Sequence, residues 1–192
     1  MNITANEKTF PSFSEIIWPR TNSWREIAII LLGSWLIALS AQISIPLQPV
    51  PITGQTFGIL LASALLGRKR AVWTVLAYLA QGAAGLPFFA GATGGVAKLL
   101  GPTGGYLFGF VFAAYVVGWL SEKGWDRRFF STIGSMVIGN LIIYVSGVTW
   151  LSYLIGLSAG LNAGLYPFIY GDILKILLAA FILPYLWSGK NK

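Results

Sequence analysis

The chain has 192 residues, of which 56% are hydrophobic and 10% are charged, and its mean hydropathy is +0.72. A soluble domain carries about 25% charged residues, so this composition excludes an ordinary soluble protein with a separate catalytic domain. The chain has no cysteine and no histidine. That composition excludes disulfides, thiolate metal sites and the usual zinc and haem ligands. We therefore expect an integral membrane protein without a metal.

Apolar runs separated by Gly, Pro and charged residues predict an all-α fold with six membrane-spanning helices, since one span takes about 20 apolar residues. The second run is short for a bilayer, so we expect the loop before it to dip into the protein. The predicted domains are a polar N-terminal segment (1–26), a six-helix membrane domain (27–188) and a short tail (189–192). The predicted helices cover residues 27–45, 53–66, 71–89, 106–120, 129–153 and 165–187.

The distribution of basic residues predicts that both termini lie in the cytoplasm. In that orientation 11 of the 13 Lys and Arg lie on the inner side, as the positive-inside rule requires. Because these residues lie beside apolar segments, the net charge of +7 indicates lipid contact in the plasma membrane and not nucleic acid binding. The inner basic residues are Lys8, Arg20, Arg25, Arg68, Lys69, Arg70, Lys123, Arg127, Arg128, Lys190 and Lys192.

Two loops that this orientation places outside are rich in proline or glycine. Residues 46–51 read Pro-Leu-Gln-Pro-Val-Pro, and residues 91–105 are glycine-rich. Both compositions favour compact irregular structure over helix, and such backbone is tolerated near a membrane where it is buried or lines a cavity. We expect the loops to fold over a ligand; tight turns without a ligand are the alternative.

Two charged residues, Asp172 and Lys175, lie inside the sixth predicted helix. Each charge costs about 2.5–3.5 kcal/mol near the centre of a membrane helix. Their i, i+3 spacing places them on one face, which must point into the bundle. The alternative is that the two side chains bind only each other and stabilise the packing of the helices. Such a pair leaves spare donors and acceptors, however, that a polar ligand could satisfy.

Five further polar residues are candidates for the same site. Asn140 and Tyr144 share one face of the fifth helix, Thr53 and Gln55 open the second helix, and Lys98 is the basic residue of the outer loops. Each has a structural alternative, such as interhelical hydrogen bonding or helix capping. Their convergence on the outer half of the bundle predicts one ligand-binding chamber.

Four motifs follow one another along the chain: PLQPVPITGQT at 46–56, GLPFFAG at 85–91, GPTGGYL at 101–107 and PFxxxDxxK at 167–175. In this order and spacing they resemble the signatures of the BioY family, the biotin-specific substrate-binding (S) components of energy-coupling factor transporters. The resemblance implies a six-helix S-component fold that captures biotin with high affinity on the outer side for uptake. It also implies two kinds of partner, a transmembrane coupling protein and two ATPase subunits.

The resemblance also implies roles for individual residues. Asp172 and Lys175 bind the ligand, Tyr144 takes part, and Lys98 serves the biotin carboxylate. For the ureido group, Asp172 is expected to accept from the N–H groups and Lys175 to donate to the carbonyl. Biotin is the transported ligand, and no cofactor is implied.

A face of small residues on the first helix is the expected docking site for the coupling protein. S-components usually present Ala-x-x-x-Ala there, whereas this chain offers Ser34 and Ala38, with Ala41 one turn further on. Small-residue faces also form ordinary helix contacts within a bundle. We therefore expect docking at these three residues, with packing against another helix of the same chain as the alternative.

Three other function classes are alternatives to the binding subunit. An enzyme needs a nucleophile and a base, but His and Cys are absent and no phosphate-loop motif is present. A stand-alone or proton-coupled carrier of biotin or another small carboxylate vitamin, working as a self-associated dimer, is the stronger alternative because an intramembrane Asp–Lys pair could relay protons. Uptake without an ATPase partner would favour the carrier. A channel fits less well, since no repeated pore motif or ring of like charges is visible.

Overall fold

The structure is a computed structural model that describes residues 10–19 and 22–189. Parts of both predicted terminal segments lie outside these residues, and so do Lys8, Arg20, Lys190 and Lys192. The described part is predominantly helical. Its elements are α1 (Phe13–Ile17), α2 (Ser23–Gln42), β1 (Ser44–Ile45), β2 (Ile52–Thr53), α3 (Gln55–Ala83), α4 (Val96–Leu100), α5 (Gly104–Glu122), α6 (Phe129–Ile155), α7 (Leu157–Gly164) and α8 (Ile169–Ser188), with 3₁₀ turns at Trp125–Arg127 and Tyr166–Phe168.

Four helical segments are long and apolar enough to cross a membrane, namely Ser23–Gln42, Gly104–Glu122, Phe129–Ile155 and Leu157–Ser188. Large apolar side chains also cover the outside of the bundle, for example Trp35 and Leu39 on α2 and Phe181 on α8. A soluble protein rarely exposes such continuous apolar surface. The all-α membrane fold expected from the composition is confirmed.

Helix α3 is broken in its middle at Gly67, where the backbone has φ +74° and ψ 167°. Glycine adopts a positive φ without steric cost, and this is the residue at which the sequence predicted the second helix to end. Gly118 of α5 packs against the break, since a Cβ there would lie only 2.5 Å from the backbone nitrogen of Arg68. The two helices therefore approach closely where α3 turns.

The helices pack in the order α2, α3, α5, α6 and α8 around one apolar core. The small residues predicted to dock a partner lie inside this packing. Ser34 and Ala41 have no exposed surface and Ala38 is 7% exposed, and the Ser34 hydroxyl accepts a hydrogen bond from Gln81 Nε2 at 2.8 Å. The expectation of a small-residue face open to a partner is therefore corrected: these side chains contact α3 because close helix packing requires small residues.

The bundle has two ends, which we name by their residues. The loop end carries the β1–β2 hairpin and residues 84–103. The basic end carries Arg68, Lys69 and Arg70 at the break in α3, together with the 3₁₀ turn Trp125–Arg127. Helix α8 runs from the loop end to the basic end, so its two termini lie at opposite ends of the fold.

The loop end is more regular than the sequence predicted. β1 and β2 pair antiparallel with Ser44 opposite Thr53, and α4 forms within the glycine-rich segment. α3 ends at Ala83 and not near residue 89, because Gly85 has a φ of +101° and Pro87 follows. The helix α7, which the sequence analysis did not predict, precedes α8.

A buried carboxyl group, Asp126, lies in the 3₁₀ turn at the basic end. Its Oδ2 accepts a hydrogen bond from Trp187 Nε1 at 2.7 Å, while its Oδ1 has no hydrogen-bond partner among the described residues. Burial raises the pKa of Asp126 from 3.8 to about 6, against the opposing effects of the Trp187 hydrogen bond and the neighbouring Arg127. The folded protein therefore favours the protonated acid.

This carboxyl group predicts a pH dependence of stability. Since its pKa is higher in the folded than in the unfolded chain, its stabilising effect is complete below pH 3.8 and is lost as the pH rises through about 6. Between pH 4 and pH 7 we expect the free energy of unfolding of the wild-type protein to fall by up to about 3 kcal/mol more than that of Asp126→Asn. This figure converts the pKa difference at about 1.4 kcal/mol per unit. Thermal unfolding of both proteins in detergent at several pH values measures this difference, and parallel curves would contradict it.

Candidate functional site

A cavity of about 390 Å³ lies at the loop end, enclosed by the two loops and by α3, α5, α6 and α8. Its size is that of a small-molecule site, and its lining is mostly apolar with a few polar groups, as is usual for such sites. The lining residues are Pro49, Val50, Pro51, Thr53, Gln55, Thr56, Phe89, Ala90, Thr93, Gly94, Ala97, Lys98, Gly101, Pro102, Thr103, Tyr106, Leu107, Phe110, Ile143, Tyr144, Phe168 and Lys175.

A polar network from three helices closes one side of the cavity. Lys175 Nζ donates to Asp172 Oδ1 at 2.8 Å and to Thr56 Oγ1 at 3.0 Å. The Tyr144 hydroxyl donates to Asp172 Oδ2. Asp172 is 5% exposed. Both of its oxygens accept hydrogen bonds from side chains that line the cavity. The predicted association of Tyr144 with the Asp172–Lys175 pair is present in the structure.

The network leaves hydrogen-bonding capacity on the cavity side. An ammonium group has three N–H donors, and the two bonds of Lys175 within the network leave one. The Tyr144 oxygen donates its proton to Asp172 and keeps lone pairs that can accept. Asp172 is not among the described residues that line the cavity, whereas both of its hydrogen-bond partners, Tyr144 and Lys175, are.

Aromatic side chains form the apolar walls. Tyr106 stacks on Phe168 with ring centroids 6.5 Å apart, and the Tyr106 hydroxyl is fixed by donation to Gly164 O at 2.7 Å. On the opposite side Phe89 meets Tyr78 edge to face at 5.6 Å. These contacts hold the rings in place before any ligand arrives.

Gln55 is the first residue of α3, as expected, whereas Thr53 ends β2 two residues earlier; both line the cavity. The Thr53 hydroxyl accepts from the Gln55 backbone N–H at 3.2 Å, a local side-chain-to-backbone bond in the turn before the helix. The Gln55 side chain is buried and donates to the hydroxyl of Tyr78. Both residues therefore combine a structural contact with a position at the cavity wall.

Lys98 and Asn140 occupy different places. Lys98 lies on α4, where it is exposed and lines the cavity. Asn140 lines a separate small void beneath the cavity, together with Thr56 and Lys175. The Asn140 Oδ1 is buried without a hydrogen-bond partner among the described residues. The i, i+4 spacing from Tyr144 is real, but it places Asn140 one turn deeper in the bundle.

Sequence reasoning missed Gln42, the last residue of α2, which fastens the second loop. Its Nε2 donates to the carbonyl oxygens of Phe88 and Phe89 at 3.3 Å each, and its Oε1 accepts from the Ala92 N–H at 2.9 Å. A polar amide at the end of an apolar helix, directly before the proline-rich loop, is the signal that could have identified it. Its contacts hold Phe89 at the cavity wall.

Comparison with known proteins finds a matching family model and relatives whose names agree with one another. A family model described as the BioY family matches residues 12–192. The chain is 42% identical over 156 residues to a Thermotoga maritima protein named biotin transporter BioY, covering 81% of this chain and 87% of that one. It is 37% identical over 158 residues to a Pyrococcus horikoshii protein named probable biotin transporter BioY, covering 82% and 93% respectively.

A solved structure extends the match to three dimensions. The fold superposes with a TM-score of 0.73 and 30% sequence identity on the crystal structure of the S-component for biotin from an ECF-type ABC transporter, covering 88% of this chain and 94% of that chain. The matched region includes the loops and helices that enclose the cavity. The chain belongs to the BioY family.

Proposed function

We propose that the chain binds biotin in the loop-end cavity and is the biotin-binding subunit of an ATP-driven uptake system. The observation that carries this proposal is the cavity itself, with the Asp172–Lys175–Tyr144–Thr56 network at its side, in a chain whose relatives are named as biotin transporters. Those names favour transport over the enzyme alternative. The partners would be a transmembrane coupling protein and two ATPase subunits.

The proposed topology has six spans in the plasma membrane and both termini in the cytoplasm. The six spans would be α2, the two halves of α3 on either side of Gly67, α5, α6 and α8. The clustering of Arg68, Lys69 and Arg70 with Arg127 at the basic end supports a cytoplasmic location for that end. The cavity at the loop end would then open to the outside.

The proposed ligand contacts follow from the capacity that the network leaves. Biotin presents a ureido group with two N–H donors and one carbonyl acceptor. The remaining Lys175 N–H would donate to that carbonyl, and the Tyr144 oxygen would accept one ureido N–H. Asp172, which the sequence analysis expected to accept the ureido N–H groups itself, would instead act through both residues by holding them in position, because its two oxygens already accept from Lys175 and Tyr144. The apolar ring and chain of biotin would lie against Phe168 and the other aromatic walls.

Lys98 would pair with the biotin carboxylate at the cavity mouth. Because Lys98 is exposed, the gain is that of a screened ion pair, up to about 1 kcal/mol, or roughly 3- to 5-fold in affinity. We expect wild-type protein to bind biotin about that much more tightly than biotin methyl ester, and Lys98→Met to bind both equally. Calorimetric titration checks this, with Lys69→Met at the basic end as the control. A preference for the free acid that survives in Lys98→Met would exclude this role.

An uptake assay separates the proposed function from the carrier alternative. Cells that require biotin would express this chain alone, with the energising module, or with a module whose ATPase subunits are inactive. We expect accumulation of labelled biotin only with the active module. Accumulation by the chain alone that disappears when an uncoupler removes the proton gradient would favour the proton-coupled carrier.

A further inference from the structure

The short helix α1 is amphipathic in the reverse of the usual sense. Its polar side faces the protein, since Ser12, directly before the helix, is 1% exposed and Ser14 contacts Arg70. Two of its three apolar residues and the tryptophan that follows the helix face outward, with Ile16 40%, Ile17 47% and Trp18 50% exposed. A surface helix of a soluble protein would show the opposite arrangement.

The polar side is fastened to the basic end by several independent contacts. Arg70 donates to Ser14 Oγ at 2.8 Å and to the Trp18 carbonyl oxygen at 3.1 Å. The backbone N–H of Phe10 donates to Glu122 O at 2.7 Å, and the ring of Phe13 meets Trp187 edge to face at 5.5 Å. α1 is therefore held in one orientation, and its apolar side chains are presented outward by the fold.

The end of α1 lies near the start of α2, because Arg70 donates to the Trp18 carbonyl oxygen and pairs with Glu26 of α2. Trp24, Ile27 and Leu31 on α2 are 62%, 58% and 41% exposed, and α2 is one of the helices able to cross a membrane. Tryptophan is enriched at membrane–water interfaces. The same end carries Arg25, whose guanidinium lies 5.6 Å from the Trp24 ring centre, and the exposed Lys69, which lines a groove with Ser23 and Trp73.

We propose that α1 lies at the membrane–water interface of the basic end, with Ile16, Ile17 and Trp18 immersed in lipid. The exposed apolar residues of the neighbouring α2, a helix able to cross a membrane, argue for lipid as the occupant, and the neighbouring cations match the negative surface of a phospholipid membrane. Apolar side chains of interfacial helices reach about 5–10 Å into the boundary between headgroups and acyl chains. α1 would thus set the depth at which the basic end sits in the bilayer.

Spin labels on single cysteines test this proposal, and the chain contains no native cysteine that would have to be removed. The full chain carrying Ile17→Cys would be labelled with a nitroxide and reconstituted into phospholipid vesicles. Collision rates with oxygen, which concentrates in lipid, and with a water-soluble nickel chelate report the environment of the label. Leu31→Cys on α2 is the lipid-facing control, and Arg128→Cys, exposed at the basic end, is the aqueous control.

We expect the ratio of oxygen to nickel collisions at residue 17 to exceed that at residue 128 several-fold and to approach that at residue 31. A ratio equal to that at residue 128 would overturn the proposal, because the side chain would then face water. Protection from both reagents would also overturn it, because a second protein chain would then cover the surface. Ile16→Cys on the same side repeats the test if Ile17→Cys does not fold.

Discussion

Replacing Lys175 by methionine is expected to weaken biotin binding by about 10- to 100-fold and to destabilise the fold. A hydrogen bond from a charged donor contributes about 1.5–3 kcal/mol, which converts to roughly that range of affinity. The substitution also leaves the carboxylate of Asp172, only 5% exposed, without its ammonium partner at 2.8 Å. Removing one partner of a buried pair costs about 3–5 kcal/mol. Titration calorimetry and thermal unfolding measure the two effects.

A double substitution separates folding from binding. In Asp172→Asn with Lys175→Met both charges are gone, so no uncompensated charge remains buried and most of the lost stability should return. Biotin affinity should not return, because the donor to the ligand is still missing. The double substitution leaves the net charge unchanged, and Lys69→Met, which removes an exposed lysine at the basic end, is the net-charge control for the single variant Lys175→Met. Recovery of binding in the double variant would mean that Lys175 only balances Asp172.

Replacing Arg70 by methionine is expected to lower the free energy of unfolding by about 3 kcal/mol or more. Arg70 is 2% exposed and pairs with Glu26, and it also donates to Ser14 and to the Trp18 carbonyl oxygen. Because the Glu26 side chain is 29% exposed, water partly stabilises its carboxylate after the Arg70 guanidinium is removed. The change should also weaken the attachment of α1 to the bundle, leaving the contacts of Phe10 and Phe13. Chemical unfolding in detergent measures the stability.

Arg68→Met provides a matched control for Arg70→Met on the same helix. Arg68 is 36% exposed, and its Nε lies 3.1 Å from Glu122 Oε2, so we expect a loss of only about 1 kcal/mol or less. Biotin affinity of the folded Arg70→Met protein should change little, because the cavity lies at the opposite end. Equal destabilisation by both substitutions would contradict the structural role assigned to Arg70.

Much of the helical framework could be predicted because membrane helices are specified by long apolar runs. The predicted helices at 106–120 and 129–153 correspond to α5 (Gly104–Glu122) and α6 (Phe129–Ile155), with differences of only two residues at each differing boundary. The break at Gly67 was also predicted, since a glycine before three cations interrupts the apolar pattern. The contact between Tyr144 and Asp172 brings together residues that the family resemblance had linked.

The remaining features depend on tertiary contacts that periodicity does not encode. Ser34, Ala38 and Ala41 form a small-residue face, but the sequence does not say whether that face meets a partner or α3, and the structure buries it. Asn140 shares a helix face with Tyr144, but its depth places it below the cavity. The β1–β2 hairpin has only two residues per strand, too few for an alternating pattern to be visible.

The most direct test of the central claim is calorimetric titration of the purified protein in detergent with biotin. We expect tight binding of one biotin per chain, strongly weakened in Lys175→Met and unchanged in Lys69→Met. A folded, monodisperse wild-type protein that does not bind biotin would contradict the assignment of the cavity. Binding of equal strength in Lys175→Met would contradict the proposed role of the network on α8.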